Sequence, residues 1–397
     1  MTRRSGTDYA LQVAGLLWPA PSRARVVRRP GGGTSAAAQW WVLPSASRPR
    51  LLVPVGVRSA ARMLTRHGDR PGPRAVRALL ATGVRTGLLE RLPVARIRVD
   101  PVPGAVSLAA DLAQVLGHDV VLGVLLGTPR VNRKPVLQVF DRDGRTLAFV
   151  KAAHDERTRW LVRREADNLA RLRSVGLAGI ELPEVLHAGR FGELQVLVLS
   201  PLASSQQEGR QGVERPPVAA MRELSHAAGV RREALADTAF AQRLTAVPRQ
   251  QPSAALPARL AALAGDVLAR HGADVVELGA WHGDWAPWNM GWSEGRLQLW
   301  DWERYAEGVP LGLDLVHYLG QRVRHDQPEL RAAEDALLAA LPGLLPEVGV
   351  PADRARLVLV LYLLELARRF VAPDDGGEGS EHPRARWALD LAARLLD

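Results

Sequence analysis

The chain has 397 residues, 47% hydrophobic and 24% charged, with a formal net charge of +10 and no cysteine. That length allows two or three domains with a sizeable core, and the missing cysteines exclude disulfide frameworks, thiolate zinc sites and cysteine nucleophiles. The longest apolar run, Leu357 to Leu364, falls far short of the roughly 20 residues that a membrane span requires, so no span is expected.

Of the 52 Lys and Arg residues only Lys134 and Lys151 are lysine, and only Asn132, Asn168 and Asn289 are asparagine. Where arginine has replaced lysine almost everywhere, a surviving lysine points to a site that needs a compact ammonium rather than a planar fork. Charge is also uneven. Residues 1–100 carry 18 Arg against Asp8, Asp69, Glu90 and Asp100, while the remainder is slightly acidic. An Arg-rich surface of this kind suits an anionic partner. Arg3-Arg4 followed by Leu11 to Trp18 is too interrupted, by Asp8 and Gln12, for a secretory leader, and a cytoplasmic location is expected.

In chain order, residues 1–105 read as a separate basic unit of unknown role. Pro30 to Thr34 is a Gly-rich link, Arg50 to Val55 a strand and Arg58 to His67 a helix. His67-Gly68-Asp69 is set aside as a decoy of the triplet described below, because no Asn follows at the right spacing. From about residue 106 the pattern becomes strand-rich. Strands are expected at Asp119 to Leu126, Pro135 to Phe140 and Thr146 to Ala152, with a turn at Gly127-Thr128-Pro129 and a hairpin at Asp141 to Gly144. A helix from Glu156 to Ser174 and strands near Val185–Ala188 and Leu194–Leu199 complete the order β-β-β-α-β-β. Beyond a polar loop at 203–217, helices are expected at about 218–246, 256–271, 312–324, 329–341, 352–370 and 384–396. A non-helical island, Glu277 to Tyr305, interrupts them. The domains expected are therefore 1–105, 106–202 and 203–397.

The island holds His282-Gly283-Asp284-Trp285-Ala286-Pro287-Trp288-Asn289 and then Leu299-Trp300-Asp301-Trp302-Glu303. A carboxylate, an Asn five residues on and a second carboxylate suit phosphoryl transfer. The first can orient or deprotonate an acceptor hydroxyl, while the amide oxygen and the second carboxylate can hold Mg²⁺ against phosphates. Upstream, Lys151 ends a strand and Glu165 lies 14 residues later in a helix, a pairing that presents an ammonium to nucleotide phosphates. The turn from Gly127 through Thr128 to Lys134 offers backbone N–H groups and cations to the same anions. His282 reads as a hydrogen-bonded support of the loop. The six tryptophans between Trp281 and Trp302 read as core, with Trp285 or Trp288 as candidates for stacking on an acceptor ring.

With these motifs the chain resembles the aminoglycoside phosphotransferase and choline kinase family, relatives of protein kinases, over roughly residues 106–370. The resemblance implies an α+β, protein-kinase-like two-lobed fold: an antiparallel sheet with one helix, a mainly helical second lobe, and here an N-terminal extension. It implies Asp284 as catalytic aspartate, Asn289 and Asp301 as Mg²⁺ ligands, Lys151 as phosphate anchor, Asp314 as the brace of the catalytic loop, and Ser200 to Leu202 as the adenine-facing hinge. ATP or GTP with Mg²⁺ would be the cofactors. A small hydroxylated molecule (sugar, amino-sugar or aminocyclitol) would be the acceptor, bound by 218–246 and the acidic loop Asp374 to Glu381. Nucleic acid is disfavoured as a partner. The competing expectation is a nucleotide-binding regulator or scaffold with little activity, docking an acidic partner through residues 1–105. The presence of every expected catalytic side chain argues against it.

Overall fold

Strands mostly buried along their whole length build the first half of the chain in a computed structural model that describes residues 6–27, 38–66, 74–100, 102–127, 133–202, 215–246, 255–321, 323, 329–371 and 382–397. The strands are β1 (Arg23–Val27), β2 (Ala38–Leu43), β3 (Leu51–Pro54), β4 (Arg96–Asp100), β5 (Val121–Leu125), β6 (Val136–Phe140), β7 (Thr146–Ala153), β8 (Ile180–Glu181), β9 (Val185–Phe191) and β10 (Leu194–Leu199). All but β8 form one nine-stranded sheet in the order β1-β4-β2-β3-β5-β6-β7-β10-β9, antiparallel throughout.

Trp40 and Trp41, adjacent in β2, show why both faces of this sheet need cover. Their side chains point to opposite faces, and each is 1% exposed. Trp40 joins Leu122, Val124, Val139, Val150 and Val196 under the helix Gly6–Leu17. Trp41 joins Leu43, Val53, Met63, Val84 and Phe140 under the short helical segments between Arg58 and Arg91. Burying a side chain of this size contributes about 1.5–3 kcal/mol, so residues 1–105 supply a large share of the sheet's stability.

The separate unit expected over 1–105 is therefore corrected. Its strands continue the same sheet, because Leu51 and Leu52 of β3 pair with Leu125 and Val124 of β5. The chain divides into two compact units, one of residues 1–166 and 183–202, the other of residues 167–182 and 203–397, with the division inside the helix Glu156–Val175. Deleting residues 1–105 would strip β5 of its β3 partner and uncover both apolar faces. The fragment 106–397 is expected to aggregate or to unfold without cooperativity in a thermal melt, whereas a soluble, cooperatively melting fragment would contradict this role.

The second unit is mostly helical, with two small sheets. β11 (Arg231–Ala234), β12 (Val275–Trp281) and β15 (Ala306–Pro310) form one; β13 (Met290–Ser293), β14 (Arg296–Leu299) and β8 form the other. The helix expected over 218–246 is in fact two, Val218–His226 and Ala239–Thr245. Gly229, at φ +82°, breaks it, and Arg231–Ala234 pairs with β12 instead. The helices at Ala255–His271, Leu313–Gly320, Leu330–Leu344, Ala355–Val371 and Pro383–Leu396 match those expected to within a few residues at each end. The α+β element order expected beyond residue 106 is present: β5, β6 and β7, then the helix Glu156–Val175, then β9 and β10 of the same sheet, and a mainly helical second unit carrying the loop with Asp284. Among the described residues, no helix is long and apolar enough to cross a membrane.

Candidate active site

In the first unit, Lys151 sits on β7 with Val136 of β6 and Leu197 of β10 as its cross-strand neighbours, so its strand is paired on both sides. Its ammonium donates to both carboxylate oxygens of Glu165 at 2.6 Å, and the two side chains are 6% and 0% exposed. The helix that carries Glu165 starts cleanly because Asp155 accepts the Thr158 backbone N–H at 2.9 Å. Gly127 follows β5 at φ +66°, and its carbonyl accepts from Arg50 and Arg133. Arg133 also donates to the Leu126 carbonyl and lies 3.7 Å over the Tyr9 ring, so its cation is tied into the sheet. Ser200 follows β10; its hydroxyl accepts from the Glu184 backbone N–H, and Leu202 nearby is buried. Thr128, the decoy triplet 67–69 and the acidic loop 374–381 lie outside the described residues.

In the second unit β12 delivers His282, Gly283 and Asp284 into a loop built on Asp314. Oδ2 of Asp314 accepts the His282 N–H at 2.7 Å and Oδ1 accepts the Gly283 N–H at 3.0 Å. Gly283 is required here. Its φ is +81°, and an added Cβ would stand 2.5 Å from the Arg304 carbonyl oxygen. Burial pushes the Asp314 carboxyl up to about 7, against the pull of those two backbone bonds and Arg369.

His282 is fully buried, with its ring 4.6 Å edge-on from Trp302. Nε2 faces the Trp300 carbonyl at 3.1 Å, and Nδ1 accepts the Asp284 N–H at 3.2 Å. That geometry requires a neutral ring protonated on Nε2, and burial pushes its pKa down to about 4 in spite of nearby Asp284 and Asp301. The unfolded chain takes up this proton near pH 6.5 and the folded chain only near 4, so stability is lost as pH falls across that window. The His282→Gln variant lacks this loss. Its stability relative to wild type is expected to improve by on the order of 3 kcal/mol between pH 6.5 and 4, read from denaturant midpoints. A difference that stays flat with pH would contradict the assignment.

Asp284 is the exposed member of the loop, its side chain 43% accessible. Asn289 Nδ2 donates to its Oδ2 at 3.1 Å and to its backbone carbonyl at 2.9 Å. His317 faces Oδ1 at 3.1 Å. Burial pushes the carboxyl up, but the His317 hydrogen bond, with the Arg369 charge nearby, outweighs it, and the pKa falls below the ordinary carboxylate value.

The hairpin β13–β14 brings Asn289 and Asp301 together. Met290 pairs with Leu299, so the residues flanking the hairpin meet at its open end, where Trp300 N–H donates to the Asn289 carbonyl at 3.0 Å. Asp301 takes φ +68°, unusual for a residue with a Cβ. With Nδ2 of Asn289 committed to Asp284, its remaining side-chain oxygen and the Asp301 carboxylate are hard donors of the kind Mg²⁺ takes, one or two per protein with phosphate and water completing the shell. Among the described residues no group of three or more His, Asp or Glu side chains gathers as a metal cluster. Trp285 is fully buried and packs 6.0 Å from the His282 ring, so it is core; Trp288 is 48% exposed.

Two residues of this loop's surroundings escaped sequence reasoning. His317 carried no motif, although it lies one helical turn after Asp314. Arg369, in the helix Ala355–Val371, donates to the Gly283 carbonyl and lies 4.3 Å over the Trp281 ring. On the other side of the charge question, Arg96 and Arg98 are buried, bonded to the Glu90 carbonyl and to Asp100, so part of the basic surplus of 1–105 is structural.

No family model and no curated protein matches the chain. Among solved structures it is similar to the choline kinase LicA from Streptococcus pneumoniae (17% identity, 72% of this chain and 96% of that one, TM-score 0.45). It is also similar to a thermostable mutant of the aminoglycoside phosphotransferase APH(4)-Ia in complex with ADP and hygromycin B (14% identity, 73% and 98%, TM-score 0.46). A choline/ethanolamine kinase family protein from Mesorhizobium loti is a third (20% identity, 73% and 93%, TM-score 0.37).

Proposed function

We propose that the chain is an ATP-dependent phosphotransferase acting on a hydroxyl of a small molecule. The observation that carries this reading is the Asp284 carboxylate. It is solvent-accessible, fixed at both oxygens by His317 and Asn289, and held ionised on a loop braced by Asp314. In the step itself the acceptor oxygen bonds to the γ-phosphorus as its proton passes to Asp284. The bond from the γ-phosphorus to the bridging oxygen breaks, and ADP leaves with that electron pair. Lys151, oriented by Glu165, would pair with phosphate oxygens of the nucleotide. Mg²⁺, held by Asn289 and Asp301, would neutralise phosphate charge. Catalysis would then consist mainly of placement and charge stabilisation, with little covalent work for the protein.

The acceptor class is a sugar, amino-sugar or aminocyclitol. The test is transfer of label from γ-labelled ATP, with Mg²⁺, to a panel of such compounds and choline. Asp284-dependent labelling of one member is the expected result. Mg²⁺-ATP binding without labelling of any member, and without ATP hydrolysis, would favour a nucleotide-binding regulator instead.

A further inference from the structure

We propose that His317 is a positioning residue for Asp284, locked in one tautomer between the Asp284 carboxylate on one ring nitrogen and the Tyr362 hydroxyl on the other. The inference rests on the reading of Asp284 as the group that receives the acceptor proton.

All three side chains belong to the second unit. His317 and Tyr362 are 3% and 1% exposed, far from solvent exchange. His317 Nε2 is 3.1 Å from Asp284 Oδ1, and its Nδ1 is 3.1 Å from the Tyr362 hydroxyl. The carboxylate end dictates the direction. An ionised carboxylate can only accept, so Nε2 carries the imidazole proton, aimed at Asp284, and Nδ1 accepts from the Tyr362 hydroxyl.

One contact competes. The Gln321 amide nitrogen lies 2.7 Å from the same Nε2, while its oxygen accepts from Arg384 at 3.3 Å. The opposite tautomer would satisfy that amide but would set an imidazole lone pair against a carboxylate. A charge-assisted bond is about twice as strong as a neutral one, so the proton stays toward Asp284. With His317 on Oδ1 and Asn289 on Oδ2, the carboxylate has no freedom to rotate. A group that must meet a hydroxyl within hydrogen-bond reach gains from such fixation, and removing an orienting partner of this kind typically costs roughly 10–100-fold in activity.

The test uses the full chain with Mg²⁺-ATP and water as the acceptor, because slow hydrolysis needs no identified substrate. His317→Ala is expected to lower kcat roughly 10–100-fold with KM for Mg²⁺-ATP within about 2-fold of wild type. His317→Asn, which keeps a donor, should recover part of the loss, and Tyr362→Phe should lower kcat less than His317→Ala. Nitrogen-15 NMR of the imidazoles, assigned by comparison with His317→Asn, should find His317 protonated on Nε2 in the wild type. His317→Ala at wild-type kcat while Asp284→Ala is inactive, or an Nδ1-protonated His317, would overturn the positioning role alone. An inert wild type, or Asp284→Ala hydrolysing at the wild-type rate, would overturn the reading of Asp284 and this inference with it.

Discussion

Replacing Asp284 with alanine is expected to lower phosphoryl-transfer turnover by ~10²–10⁴ while the protein stays folded. The size follows from the role. The carboxylate is the one acid in its loop that is both accessible and held below its ordinary pKa, so no neighbour can take the proton in its place. His282 is sealed and already bonded at both ring nitrogens, and Asp314 is committed to two backbone N–H groups. The structural cost is small because the side chain is half open to water, which can replace it as an acceptor for Asn289 and His317. A loss of about 1 kcal/mol, or a melting shift of a few degrees, is expected. Turnover equal to wild type in this variant would remove Asp284 from the mechanism.

Glu165→Ala is expected to be the most destabilising single change of the site. It leaves the Lys151 ammonium buried against a paired strand with its carboxylate partner gone, and breaking a buried pair from one side costs about 3–5 kcal/mol. The double variant Lys151→Met/Glu165→Leu removes both charges and keeps apolar volume, so its stability should return close to wild type. Its affinity for Mg²⁺-ATP should not return, because the phosphate-facing cation is absent. Thermal unfolding and nucleotide binding measured on both variants separate the two roles. A Glu165→Ala variant that melts like wild type would mean the pair is not buried as the structure has it.

Much of this architecture can be read from the sequence because it is written in local pattern. β5, β6, β7 and the helix Glu156–Val175 follow from short apolar runs, a hairpin turn and helical spacing. The rarity of lysine drew attention to Lys151, and the spacing of Asp284, Asn289 and Asp301 to the loop. Residues 1–105 were illegible as part of the sheet for a physical reason. β4 inserts between β1 and β2, so Arg23 pairs with Asp100 and Ala38 with Val99, contacts that leave no local periodicity. β1 itself reads Arg-Ala-Arg-Val-Val, and β11 reads Arg-Arg-Glu-Ala; both are strands by virtue of their partners rather than their composition. His317 was hidden differently. Every residue of its helix, Leu313–Gly320, is buried, so a histidine there looks like core. The residue that holds its other ring nitrogen, Tyr362, lies 45 positions away in sequence.

The proposed phosphotransferase must bind a nucleoside triphosphate through Mg²⁺ to use it as a phosphoryl donor. Calorimetric titration of ATP into the full chain, with and without Mg²⁺, tests it most directly. One Mg²⁺-dependent site per chain, weakened at least tenfold by Asp301→Ala, is the predicted outcome. Absence of binding in the wild type, or unchanged affinity in Asp301→Ala, would contradict it.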